Sequence, residues 1–179
     1  MKKMACDVCR ILENKKEFHL IYEDEICFVI LHESPALEGH CLVIPKKHIP
    51  ILEETDDETI GHLLNISNKI STAIFETIGA FGTNILINNG LSASQELPHL
   101  IINVIPRKEN DAINFEWNAK KSSENELKTI QSILKTYSDF IYTGKEIKKE
   151  NINIKEETKD KKEQNKTEDY LIKGLRRMP

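Results

Sequence analysis

The sequence predicts an α+β domain over residues 1–143, followed by a charged C-terminal tail. Five short apolar segments have the length and alternation of β-strands, and two longer segments carry apolar residues at helical spacing. Charge supports the division, since residues 1–119 have a net charge of −8 and residues 120–179 a net charge of +4. The 179 residues therefore separate into an acidic folded domain and a charge-rich end.

The strands are predicted in the following order along the chain. Residues 19–22 and 26–31 predict a hairpin, because a short acidic segment separates two apolar runs. Residues 40–45 predict a short buried strand. Residues 84–88 and 97–106 predict two further strands, and an Asn-Gly pair starts the loop between them.

Two helices are predicted, each beginning at a capping box in which a hydroxyl residue pairs with a glutamate three positions later. The boxes are Thr55–Glu58 and Ser123–Glu126, and the helices span 56–78 and 124–142. Gly79 ends the first helix, because glycine readily adopts the left-handed backbone found at helix C termini.

The tail contains two segments of different character. Of the 25 residues in 145–169, 16 are charged, so this segment cannot bury enough apolar surface to offset the entropy of ordering. We expect a disordered charged linker over 144–169. Residues 170–179 combine apolar and basic side chains, which fits either a frayed end or a short docking segment for this domain or a protein partner.

Two pairs of cysteines have different expected roles. Cys6 and Cys9 form a C-x-x-C, whose thiolates can bind one tetrahedral metal ion or form a redox couple. No strand precedes the pair, which favours the metal. Cys27 and Cys41 lie in apolar strands and are expected to be small buried side chains.

Composition excludes several classes of protein. No apolar run approaches the ~20 residues of a membrane span. No apolar segment follows the N-terminal lysines, so we expect no secretory signal and a cytoplasmic protein. The acidic domain also lacks the basic surface that nucleic-acid binding requires.

Two separated motifs carry a resemblance to a known family. Residues 39–49 read GHCLVIPKKHI, and residues 98–107 read PHLIINVIPR, with Gln95 just before them. They resemble the two signatures of the histidine triad (HIT) family, and the resemblance covers residues 5–142. It implies an α+β HIT-like fold with an antiparallel sheet of about five strands and two helices. It also implies a homodimer, formed through the long helix and a sheet edge.

The same resemblance implies chemistry on nucleotides. Family members hydrolyse or transfer nucleotides at the α-phosphate, using the middle histidine of an H-x-H-x-H strand as the nucleophile. The corresponding positions here are His99, Ile101 and Asn103, with His40 as the supporting histidine. Isoleucine has no lone pair with which to attack phosphorus. The resemblance therefore implies a pseudoenzyme in which no catalytic residue set is intact.

The resemblance also assigns a ligand site and a metal site. The residues it places at a purine nucleotide or related small molecule are His32, His40, Asn84, Asn88, Gln95 and Asn103. Glu96 occupies a position where a small hydroxyl residue commonly contacts phosphate, and Ser94 replaces a glycine. A structural Zn²⁺ is implied with four ligands, Cys6, Cys9, His48 and His99.

Three functions are consistent with the sequence. The first is a HIT-family protein that binds a nucleotide or a small phosphorylated ligand without turnover. The second is a working hydrolase or transferase at the α-phosphate with an unusual nucleophile. The third is a protein-interaction dimer in which Ile101 and its neighbours form an apolar contact patch.

Overall fold

The structure, a computed structural model, describes residues 6–13, 18–136 and 138. This part of the chain contains three α-helices and five β-strands. The helices are α1 (Asp7–Glu13), α2 (Asp57–Ile78) and α3 (Glu124–Lys135). The strands are β1 (Leu20–Glu23), β2 (Cys27–Leu31), β3 (Cys41–Pro45), β4 (Gly82–Ile87) and β5 (Ile102–Arg107).

The strands form one antiparallel sheet in the order β1-β2-β3-β5-β4. Asn103 of β5 is paired with Leu42 of β3 on one side and with Leu86 of β4 on the other. Because paired residues in antiparallel strands share a face, these three side chains lie on the same side of the sheet. The predicted α+β fold with a five-stranded antiparallel sheet is confirmed.

One face of the sheet packs against α2. Val43, Ile102 and Val104 are fully buried there, and they pack with Leu63 and Ile74 of the helix. Burying side chains of this size stabilises the fold by roughly 1.5–3 kcal/mol each. This main core fixes β3 and β5, the two strands that carry the sequence motifs.

The opposite face is covered at one end by the N-terminal segment. Five buried side chains form what we call the N-terminal cluster: Cys6, Val8, Phe28, Ile30 and Ile44. The helix α1 was not expected from the sequence, since seven residues are too few to display a helical period. It adds a third, short helix to the two that were predicted.

The start of α2 differs from the sequence prediction by one residue. Asp56, rather than Thr55, is the N-cap, and its carboxylate accepts a hydrogen bond from the backbone N–H of Thr59 at 2.7 Å. The Thr55 hydroxyl is buried without a hydrogen-bond partner. The helix ends at Gly79, whose φ of 68° is the left-handed conformation expected there.

The strand prediction over 97–106 is too long at its N-terminal end. Leu100 donates its backbone N–H to the carbonyl of Ile49 at 2.6 Å and not to a neighbouring strand. The ladder of β5 therefore begins at Ile102, and His99 lies in the preceding irregular segment. This detour turns His99 toward the N-terminal cluster.

The chain from residue 115 onward forms a separate unit, of which α3 is the described helix. Its predicted capping box is present, with the Ser123 hydroxyl and the Glu126 carboxylate each bonding the other residue's backbone N–H. The predicted segments 144–169 and 170–179 lie outside the described residues. Within the described part of the chain, no helix is long and apolar enough to cross a membrane.

Candidate functional site

Four cysteine and histidine side chains converge where the N-terminus meets the sheet. The Cys6 Sγ lies 3.6 Å from the His99 Nδ1, and the Cys9 Sγ lies 3.4 Å from the His48 Nδ1 and 3.9 Å from the His99 Nδ1. All four ligand atoms lie within 4.8 Å of one another. The structure therefore brings together the four residues that the sequence indicated as metal ligands.

The spacing of these atoms fits a tetrahedral zinc ion. Zn–S bonds of about 2.3 Å and Zn–N bonds of about 2.0–2.1 Å place sulfur and nitrogen roughly 3.6 Å apart at tetrahedral angles. The observed sulfur–nitrogen distances of 3.4, 3.6 and 3.9 Å surround that value. Two thiolates and two imidazoles also form the donor set of a closed structural zinc site.

His99 is oriented by a hydrogen bond on the side of its ring away from the sulfurs. Its Nε2–H donates to the carbonyl of Pro45 at 3.0 Å, so the lone pair of Nδ1 faces Cys6 and Cys9. Burial lowers the pKa of His99, which favours the neutral ring that a metal needs. Such an outer hydrogen bond is the usual partner of a metal-binding histidine.

Gln95 was expected to contact a ligand, but its amide is occupied by the protein itself. The side-chain oxygen accepts from the backbone N–H of Gly90 at 2.7 Å. The side-chain nitrogen donates to the carbonyls of Pro50 at 2.6 Å and Leu97 at 3.0 Å. Gln95 thus ties three loop segments together immediately before His99.

A second group of polar side chains lies on the sheet face beside β5. The His40 Nδ1 accepts a hydrogen bond from the backbone N–H of Ala36 at 3.3 Å, which places the ring proton on Nε2. That Nε2–H donates to the Asn103 Oδ1 at 3.1 Å. Asn103 in turn donates to the carbonyl of Leu86 at 3.4 Å, so the orientation of its amide is fixed.

His32 stacks on His40, with ring centroids 4.7 Å apart and an interplanar angle of 17°. Its Nδ1 accepts from the backbone N–H of Ser34 at 3.0 Å, which leaves the proton on Nε2. Burial lowers the pKa of His40, and the neighbouring His32 acts in the same direction. The two stacked rings therefore lie next to Asn103, and the hydrogen bonds of His40 define its tautomer.

Ile101 packs against the N-terminal cluster. The family resemblance aligns this residue with the nucleophilic histidine. Leu42 and Leu97 pack against the same cluster. Ile101 consequently adds to the apolar surface of the N-terminal cluster. No atom of its side chain can act as a base or nucleophile.

The two remaining predicted ligand residues make hydrogen bonds within the protein. Asn84 accepts from the Arg107 Nη1 at 2.6 Å, while Arg107 also forms a two-pronged ion pair with Asp111 at 2.6 and 2.9 Å. Asn88 donates to the carbonyl of Ser94 at 3.3 Å. Asn84 therefore braces the segment that follows β5, and Asn88 braces the loop between β4 and β5.

One cluster was not expected from the sequence. Asp24, Cys27 and His62 place three ligand atoms within 4.8 Å of one another, on the α2 side of the sheet. Cys27 was expected to be a small buried side chain, and it is fully buried. The contact joins a turn to a helix 38 residues later, a separation that no local pattern records.

Comparison with known protein families matches a part of the chain that includes both motifs. The model of the HIT domain matches residues 13–110. The chain is 37% identical over 123 residues to an Arabidopsis thaliana protein named adenylylsulfatase HINT3, covering 69% of this chain and 61% of that protein. The chain thus spans less than two thirds of the length of this relative.

A second relative and one solved structure extend the comparison. The adenosine 5′-monophosphoramidase hnt1 of Schizosaccharomyces pombe is 30% identical over 128 residues, covering 71% of this chain and 93% of that protein. The crystal structure of a Zn-bound histidine triad family protein from Mycobacterium smegmatis has a TM-score of 0.59 and 32% identity, covering 76% of this chain and 97% of that one. With the family model spanning more than half of the chain, the protein belongs to the HIT family.

Proposed function

We propose that this HIT-family protein binds a purine nucleotide or a related phosphorylated ligand and does not turn it over. The observation that carries the proposal is the His40–Asn103 hydrogen bond beside Ile101. His40 and Asn103 can contact a ligand, whereas Ile101, at the proposed nucleophile position, has only an apolar side chain. The result is a binding surface without a nucleophile.

The hydrogen-bond directions support the loss of catalysis. His40 receives a backbone N–H on Nδ1 and uses its Nε2–H for Asn103, so it presents no free basic nitrogen. Asn103 cannot accept a proton at neutral pH. Neither residue can replace the nucleophilic imidazole whose position we assign to Ile101.

The names of the two relatives support the ligand class. Both specify chemistry at an adenosine or adenylyl group. Glu96, on the exposed loop before β5, would repel a phosphate placed close to it. We therefore propose that affinity depends on the base and sugar more than on phosphate charge.

Calorimetric titration with adenosine 5′-monophosphate tests the binding. We expect saturable binding that weakens by up to about tenfold in Asn103→Ala, since one hydrogen bond in the site is worth up to about 1.5 kcal/mol. The matched control is Asn68→Ala, an exposed asparagine on α2, which should leave the affinity unchanged. Absence of heat and of thermal stabilisation at millimolar nucleotide would favour the protein-interaction function instead.

A structural zinc ion is the second part of the proposal. Cys6, Cys9, His48 and His99 would hold the ion and cross-link the N-terminal segment to β3 and β5. The Zn-bound relative from Mycobacterium smegmatis and the tetrahedral spacing of the four atoms support this assignment. None of the four cysteines, which all lie in the described part of the chain, forms a disulfide, as suits a reducing compartment, and we propose a cytoplasmic location.

Metal analysis of protein purified without added metal tests the zinc. We expect one tightly bound zinc per chain and its loss in Cys6→Ser. The matched control is Cys41→Ser, because Cys41 is equally buried but bonds only the carbonyl of Gly39. Full zinc retention in Cys6→Ser would refute this ligand set.

The third part of the proposal is a homodimer whose contact is formed by α2 and β4. β4 is an edge strand, and Leu64 and Phe75 of α2 and Ile85 of β4 are 45%, 54% and 40% exposed. Apolar side chains of this size, clustered on a helix and an adjoining sheet edge, favour a protein contact. Nucleotide binding does not depend on it, because His40 and Asn103 lie on the other face of the sheet.

A further inference from the structure

We infer that Asp24, Cys27 and His62 form a second metal site, one that binds a borderline divalent cation such as zinc or cobalt. The three side chains come from the β1–β2 turn, the start of β2 and the second turn of α2. The site lies on the α2 side of the sheet and shares no residue with the cysteine–histidine group described above.

The geometry centres on one carboxylate oxygen. The Asp24 Oδ2 accepts hydrogen bonds from the His62 Nε2 at 2.7 Å and the Tyr22 hydroxyl at 2.9 Å, and the Cys27 Sγ lies 3.8 Å away. The other oxygen, Oδ1, accepts from the backbone N–H groups of Ile26 and Cys27 at 2.8 and 2.7 Å. The turn therefore fixes Asp24 while leaving Oδ2 directed at the cysteine and the histidine.

The donor set suits a cation of intermediate softness. One carboxylate, one imidazole and one thiolate are the three ligand types that zinc uses, and the fourth position would go to water. Tetrahedral coordination needs the Asp24 oxygen and the His62 nitrogen roughly 3.3 Å apart. Rotation of the His62 ring, whose side chain is 32% exposed, can supply the small increase from 2.7 Å.

Charge at the site favours a cation. Two backbone N–H groups and His62 hold the pKa of Asp24 well below its usual range, although burial opposes this, so the carboxylate is ionised. Burial, reinforced by this anion, raises the pKa of the Cys27 thiol to about 12. A divalent cation between them would relieve the repulsion that keeps the thiol protonated. The nearby cation of Lys46 is held by Glu23 at 2.7 Å.

Binding proceeds with a defined proton balance. At a pH where imidazole rings are neutral, the ring proton of His62 moves from Nε2 to Nδ1 on binding, so that the Nε2 lone pair faces the metal. The Cys27 thiol releases its proton to solvent and Asp24 remains an anion. Each metal ion bound should therefore release about one proton from this site.

Cobalt titration of the zinc-loaded full-length protein, with bound metal and thiolate-to-cobalt charge transfer both recorded, tests the inference. We expect a further equivalent beyond the zinc, an absorption band from a single thiolate, and release of one proton. His62→Gln and Cys27→Ser should each weaken this step at least about tenfold. Because His62 is partly exposed, His62→Gln should fold even if Cys27→Ser does not.

Two controls separate this site from the proposed zinc site. Cys6→Ser should abolish the first zinc equivalent but leave the cobalt step intact, whereas Cys41→Ser should affect neither. Cobalt binding that persists unchanged in His62→Gln would overturn the inference. So would the absence of any further equivalent in the wild-type protein.

Discussion

At the residue scale, Ser94 has a backbone conformation that its side chain disfavours. Its φ of 63° and ψ of 34° are left-handed, and this region favours glycine. The family resemblance implies a glycine at this position, and the left-handed backbone gives a physical reason for it. Ser94 contributes its carbonyl to the hydrogen bond from Asn88, which a glycine would retain.

We therefore predict that Ser94→Gly stabilises the protein. Relief of the left-handed strain should exceed the greater unfolded-state entropy of glycine and raise the free energy of unfolding by about 0.5–1 kcal/mol. Urea unfolding measures the change. Ser92→Gly is the control, because Ser92 is exposed in the same loop but lacks a positive φ, and it should be neutral or destabilising. Equal effects of both substitutions would contradict the explanation.

At the element scale, the start of α2 illustrates what a local motif can predict. The sequence placed the helix correctly to within a residue, since its apolar period and Gly79 are strong signals. Thr55 and Asp56 are both acceptable N-caps, and local chemistry does not decide between them. Tertiary packing decided, because it buries the Thr55 hydroxyl without a partner.

This difference predicts opposite effects for two neighbouring substitutions. Asp56→Ala should lower the free energy of unfolding by about 1 kcal/mol, because it removes the cap of the Thr59 N–H. Thr55→Val should be neutral or stabilising, since it deletes a buried hydroxyl that has no hydrogen bond. Chemical denaturation of both variants checks the assignment. A larger loss of unfolding free energy for Thr55→Val than for Asp56→Ala would indicate that Thr55 is the N-cap instead.

The elements around the site were less predictable than the sheet. The family resemblance named, residue by residue, the four cysteine and histidine side chains that converge in the structure. It did not reveal that the side-chain nitrogen of Gln95 donates hydrogen bonds to the carbonyls of Pro50 and Leu97. Such hydrogen bonds depend on how loops distant in sequence are folded against each other, which no spacing encodes.

At the scale of the whole molecule, the exposed apolar surface on α2 and β4 predicts the assembly. Phe75→Lys should convert a dimer to a monomer, because it places a charge in the centre of the proposed contact. Light scattering after size-exclusion chromatography measures the mass. Glu76→Lys, an exposed change on the next residue of the helix, is the control and should leave the dimer intact. A wild-type protein that is monomeric at high concentration would contradict the assembly.

The proposed binding without turnover requires only a local change in the molecule. The family fold, the convergent cysteine–histidine group and the His40–Asn103 pair are all present, whereas Ile101 packs against an apolar cluster. An isoleucine at the proposed nucleophile position leaves the sheet and its register intact. We therefore propose that this fold can lose catalysis and retain ligand binding.

The most direct test is the turnover of adenosine 5′-phosphoramidate by the zinc-loaded wild-type protein at a concentration that saturates nucleotide binding. We expect product formation no faster than in a protein-free blank, because loss of a nucleophile typically costs several orders of magnitude in rate. Turnover clearly above the blank that disappears in His40→Ala would contradict it.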